Sequence, residues 1–175
     1  IKVFGVNDTP VAQNDVGVIA EDSTLTVTNG ANATLTGDSY DTTGENSGDV
    51  INTSSGSHQD SDADASASLT VTQIKKDGGS NSSVSSGSSY NSSGTSVTGT
   101  YGTLTIGADG SYTYAATADA ADGIASGETA TDVFVYTLSD GTESTTANIT
   151  ITIIGANDSP TCLLYTSDAA DEVLG

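Results

Sequence analysis

Thr103-Leu104-Thr105-Ile106-Gly107-Ala108-Asp109-Gly110-Ser111-Tyr112-Thr113-Tyr114 is the stretch whose reading decides the fold. Leu104 and Ile106 alternate with threonine, and Tyr112 and Tyr114 flank Thr113. A side-chain period of two puts each apolar pair on one face of a strand. Asp109-Gly110 stands between the two runs. Asp-Gly is a strong hairpin signal, because glycine reaches positive φ without a steric penalty. Two antiparallel strands follow, apolar on one face and hydroxyl-bearing on the other.

The same grammar spreads outward. Leu25 and Val27 alternate with threonine over 23–28, and Leu69 and Val71 do so over 68–74. The run 132–138 is more continuously apolar, as a central strand requires, and Asp140-Gly141 ends it. Ile149, Ile151 and Ile153 then share one face of 145–154. Only 117–126 has the alanine content for a helical turn. Seven or more short strands separated by turn residues predict an all-β, antiparallel β-sandwich. Its predicted core is Leu25, Val27, Leu69, Val71, Leu104, Ile106, Tyr112, Tyr114, Phe134, Tyr136, Leu138, Ile149, Ile151 and Ile153. Residues 77–99 are a Gly/Ser/Asn-rich segment with little apolar surface to bury, and are expected to form a flexible surface loop.

Charge excludes several roles. The chain has 175 residues, three basic ones (Lys2, Lys75, Lys76), 23 acidic ones and a net charge of −20. Nucleic-acid binding needs lysine and arginine to neutralise phosphates, and an anionic bilayer would repel this chain. No apolar run approaches the roughly 20 residues of a membrane-spanning helix. Divalent cations are the natural counterpart of such acidity. The single histidine, His58, lies in a polar stretch, and the single cysteine, Cys162, can form no internal disulfide. Zinc and nucleophilic triads are therefore poor readings, and the chain is expected not to be an enzyme.

An internal echo organises the chain. Gly5-Val6-Asn7-Asp8-Thr9-Pro10 returns as Gly155-Ala156-Asn157-Asp158-Ser159-Pro160. Each copy follows a β-branched run, and proline stops the strand. Two copies one domain apart are what a tandem array leaves at its joints. The chain is expected to begin inside such an array, with 1–6 the end of a preceding repeat and 7–160 one repeat.

Several segments resemble the VCBS repeat, a cadherin-like (Ig-like) module of bacterial RTX-type adhesins. They are Gly99-Thr100-Tyr101-Gly102 running into the hairpin above, Gly127-Glu128, 131–141, and the joint Gly155-Ala156-Asn157-Asp158-Ser159-Pro160. Ala20-Glu21-Asp22-Ser23 and Asp60-Ser61-Asp62-Ala63-Asp64 also match the family's habit. The resemblance implies an Ig-like/cadherin-like sandwich serving as a stalk or spacer repeat. The parent would be a large adhesin exported by type I secretion to the extracellular cell surface, supporting adhesion or biofilm formation. Its partners would be neighbouring repeats of the same chain, with cell-surface glycans or other adhesins as targets of the parent. The glycine/serine insertion departs from the family's pattern.

Residues 162–172, beginning Cys162-Leu163-Leu164-Tyr165, resemble a translated sequencing adapter. Residues 161–175 are thus expected to be a non-native tail, as from a metagenomic read. The competing reading is a short helix beginning at Ser167.

In cadherins a glutamate, an Asp-x-Asp and a linker Asn-Asp hold calcium at the joint between domains. The resemblance carries these roles to Glu21, Asp62, Asp64, Asn157 and Asp158, with Asp60 a further candidate. If 60–64 is extended, Asp60, Asp62 and Asp64 share a face. Ca2+ is the implied ion, since it takes six to eight oxygen ligands. Asp60 does not open an EF-hand loop, because the glycine and glutamate of that loop are missing. Asn7, Asp8, Asp15, Asp22 and Asp140 are other acidic or amide residues near predicted joints and turns. A carbohydrate-binding module is the alternative reading. Such modules usually present aromatic platforms, and Tyr40 and Tyr90 are the only tyrosines outside strand patterns available for one.

Overall fold

The computed structural model describes residues 5–30, 33–36, 47–52 and 58–158, with 33–36 as backbone alone. Residues 1–4 of the expected preceding repeat, Tyr40, Pro160 and the tail lie outside the described residues. Ten strands occur in chain order: β1 Asp15–Ala20, β2 Thr24–Val27, β3 Ala33–Thr36, β4 Thr70–Lys76, β5 Ser82–Ser83, β6 Thr95–Thr98, β7 Thr103–Ile106, β8 Tyr112–Ala115, β9 Thr129–Ser139 and β10 Ser144–Ile154. They form two five-stranded sheets, ordered β1-β10-β9-β4-β5 and β3-β2-β8-β7-β6. No described residue is helical, so no helix among them is long and apolar enough to cross a membrane. The alanine-rich 117–126 instead makes successive turns, with Ala121 N–H donating to Ala118 O and Ile124 N–H to Ala121 O.

The β-sandwich is as expected, with three differences in detail. First, the expectation of an antiparallel fold needs correction at one pair. β1 runs parallel to β10, from Asp15 opposite Ile149 to Ala20 opposite Ile154. These strands come from opposite ends of the chain, so no hairpin forces them antiparallel. Second, a bulge between Val71 and Gln73 shifts the inward parity of β4. Val71 and Ile74 are buried, while Leu69 is only partly buried. Third, the segment 77–99 is not a structureless loop. β5 pairs with β4, β6 pairs with β7, and Val84 is buried. Serine and threonine offer the same backbone donors and acceptors as any residue, so strand edges order a segment that buries little of its own.

The inward faces of both sheets meet in one core. Leu25, Val27, Leu104, Ile106, Tyr112 and Tyr114 face Phe134, Tyr136, Leu138, Ile149, Ile151 and Ile153, all fully buried. The Tyr114 and Phe134 rings pack edge-on across the sandwich at 6.1 Å and 65°. The Tyr114 hydroxyl donates to buried Asp132 at 2.8 Å, and the N–H groups of Thr100 and Tyr101 donate to the same carboxylate. This explains Gly99: a Cβ there would stand 2.1 Å from Asp132 Oδ2.

Strand length positions the site. The 11 residues of β10 at about 3.4 Å each separate its two ends by about 35 Å.

Candidate functional site at the two ends of the sandwich

The leading end carries residues 5–14 against the β9–β10 hairpin and the 60–68 segment. Asn7 Nδ2 donates to Asp140 Oδ2 at 2.9 Å, and Asp8 N–H donates to Asp64 Oδ2 at 2.9 Å. The Thr9 hydroxyl donates to Glu143. Val11 and Ser61 exchange backbone bonds of 2.8 and 3.0 Å. Asp62 Oδ1 accepts the Asp64 N–H, while its Oδ2 is buried with no hydrogen-bond partner. A cleft of about 430 Å³ opens here, lined by Gly5, Val6, Asn7, Asp64, Ser66, Ala67, Ser68 and Asp140. Asp140 caps its own turn, accepting from Thr142 and Glu143 N–H. Those backbone donors, with the Asn7 amide, hold its carboxyl below the ordinary value.

The trailing end is built from Glu21, the 124–128 loop and 155–158. Gly155 N–H donates to Glu128 O, and Gly127 N–H donates back to Gly155 O, both at 2.9 Å. Glu21 is 2 % exposed. Its Oε1 accepts the Ala156 N–H at 2.6 Å, and its Oε2 is buried without a partner. Asn157 and Asp158 are exposed beyond it.

The residues expected to gather at one joint are therefore divided. Asp62 and Asp64 stand at the leading end; Glu21, Asn157 and Asp158 stand at the trailing end. Among the described residues, no three of His, Cys, Asp and Glu converge to hold a metal ion within the chain. Asp60 lies beneath the leading end and not on its surface. It is buried, accepting the Gln13 N–H at 2.7 Å and lying 3.0 Å from the Tyr136 hydroxyl. Asp60, Asp62 and Asp64 are each less exposed than Ser61 and Ala63 between them, and a bend begins at Ala63, where the Asp62 carboxylate takes the Asp64 N–H.

Asp60 is part of a buried acidic cluster that sequence reading missed. Asp49 accepts from the N–H groups of Gly30, Ile51 and Asn52. Asp15 is fully buried and accepts the Ser47 hydroxyl at 3.0 Å through Oδ1, while Oδ2 has no partner. Burial pushes Asp15 up to about 8, against the Ser47 bond that favours its charged form, and neighbouring Asp60 raises it further. Burial likewise raises Asp60 to about 6, opposed by the Gln13 N–H. His58 Nδ1 lies against the Asn14 carbonyl. Tyr90 is half-buried and pinned through its N–H to Ser111 Oγ.

No curated protein matches the chain. The family of bacterial cadherin-like domains matches residues 7–155, which take in the leading Asn7-Asp8, both sheets and Gly155. A two-sheet sandwich with a glutamate at one end and an Asp-x-Asp at the other thus has its family: the chain belongs to the bacterial cadherin-like domains.

Proposed function

We propose that this chain is a structural, non-enzymatic repeat: a stalk or spacer of a large secreted bacterial adhesin, made rigid by calcium held between successive copies. The observation that carries the reading is the division of one repeated motif between two half-sites. At the trailing end the motif meets Glu21 through Ala156 N–H. At the leading end its other copy meets Asp64 and Asp140 through Asp8 N–H and the Asn7 amide. In a tandem array one Asn-Asp serves both. Glu21 of one copy would then face Asp62, Asp64 and Asp140 of the next.

The residues fit calcium. The set is oxygen-only, and Glu21 Oε2 and Asp62 Oδ2 are buried acceptors lacking donors. Gly5 supports the joint as well. At the trailing end a Cβ on Gly155 would stand 2.4 Å from the carbonyls of Ile124 and Ala125, whereas Gly5 meets nothing within 4 Å. The surface that closes on Gly155 belongs to the repeat before the joint. Bound calcium would cancel the repulsion among these carboxylates and fix the angle between copies, and binding to the folded state alone adds stability by mass action.

The test is a chain in which residues 7–156 are followed directly by residues 7–158, so that a single Asn-Asp stands at the joint. Its melting temperature is expected to rise in millimolar calcium over EDTA by more than that of the single chain. Asp64→Asn in the second copy should remove the difference. An identical melt with calcium and with chelator in the tandem chain would overturn the calcium reading.

A further inference from the structure

We propose that Asp15 is a neutral carboxylic acid in the folded chain at neutral pH, so that a proton held inside the sandwich couples its stability to pH. The argument starts from hydrogen-bond supply. Asp49, Asp60 and Asp15 are all buried and all turn into the same region of the core. Asp49 receives three backbone N–H groups. Asp60 receives the Gln13 N–H and stands beside the Tyr136 hydroxyl. That hydroxyl has one proton and also lies 2.9 Å from Gln13 O, so it cannot satisfy every acceptor around it. Asp15 receives the Ser47 hydroxyl and otherwise only a share of that same Tyr136 hydroxyl, and among the described residues its second oxygen has no partner.

The groups facing Asp15 are Asp60 and Asp49 from the loops, Tyr136 from β9 and Tyr112 from β8. None is a base. The Tyr112 hydroxyl, fully buried, is itself without a partner. Asp15 has no counter-charge among the described residues, and a bare carboxylate next to two others is a costly species for such a core. Taking up one proton removes the charge and turns an orphan acceptor into a donor. The burial that raises Asp15 to about 8 acts in the same direction.

The sign follows from linkage. A folded-state acid raised above its unfolded value stabilises fully below the unfolded value of 3.8. That contribution disappears as pH rises towards the folded value. Across about pH 5 to 7 the folding equilibrium constant of the wild-type chain should therefore fall about tenfold per pH unit relative to Asp15→Asn, which is neutral throughout. Urea denaturation of both chains over this range measures it, with calcium absent. Parallel pH profiles for the two chains would overturn the proposal. Should Asp15→Asn not fold, carbon-13 NMR of the wild-type Asp15 carboxyl decides. A resonance in the carboxylic-acid position at pH 6 supports the proposal. A carboxylate position at that pH, or a resonance displaced by added calcium, sinks it.

Discussion

Gly5 and Gly155 hold the same place in the repeated motif and meet opposite surroundings. Around Gly155 the chain is closed: two carbonyls approach where a Cβ would sit, Ala156 is tied to Glu21, and Glu21 is buried. Around Gly5 the surface is open, and Val6, the counterpart of Ala156, is 85 % exposed. The difference reverses two residues further on. Asn7 and Asp8 are fastened to Asp140 and Asp64, while among the described residues the side-chain amide of Asn157 donates to the neighbouring Asp158 carbonyl alone. Each copy of the motif is thus built on one side only, the first through its later residues and the second through its earlier ones. Placed end to end, as in the proposed array, the two would make one joint.

The sharpest way to break this comparison is to add the same methyl group at both glycines. Gly155→Ala must displace backbone carbonyls of Ile124 and Ala125, which cannot rotate away as a flexible side chain would. A loss of about 2–3 kcal/mol is expected. Gly5→Ala should change stability by less than about 0.5 kcal/mol. Chemical denaturation of the two variants measures both, and equal losses would dissolve the distinction between closed and open ends. In a tandem chain, the alanine at the internal joint should behave as Gly155→Ala does.

A smaller effect distinguishes the carboxylates. Glu21→Ala leaves the Ala156 N–H without its acceptor in a mostly buried place, at a cost of about 1–3 kcal/mol. Glu21→Gln keeps a carbonyl for that N–H while removing the charge. It should retain most of the stability in the single chain and lose the calcium response in the tandem one. Thermal melts with and without calcium separate the two roles. If Glu21→Gln destabilises as much as Glu21→Ala, the charge itself holds the trailing end together.

The unequal legibility of these regions has physical causes. The hairpin β7–β8 could be read in full because its apolar face is the inward one. In β1 the inward places belong to Asp15, Gly17 and Ile19, while Val16 and Val18 point outward. Its alternation carries the reverse of the usual message, and the strand escaped notice. β6 was hidden by composition, since a serine/threonine edge strand is held by its neighbours more than by its own side chains. For the site, residue types were legible and places were not. Glu21, Asp62, Asp64, Asn157 and Asp158 are named by the resemblance to cadherin joints, but only strand length and register put Glu21 and Asp64 at opposite ends. Asp140 reads first as a turn residue because Asp-Gly so often is one. Here one carboxylate oxygen makes the turn and the other holds Asn7.

That double duty leads to the smallest and most local effect. The bonds from Glu143, Thr142 and Asn7 lower the Asp140 carboxyl below its ordinary value of 3.8. An acid lowered by folding stabilises above the unfolded value, and that contribution is lost as pH falls through the folded one. The dependence is opposite in sign to that of Asp15 and lies in a separate, more acidic window. Lowering the pH from about 5 to 2 should release the Asn7 side-chain amide from Asp140. Two-dimensional NMR of the Asn7 side-chain NH2 group follows it directly. Asp140→Asn should abolish the transition in this window and leave the Gly155 amide unmoved. A simultaneous shift at Gly155 would mean that the two ends respond to acid as one, and that the leading half-site is not an independent structure.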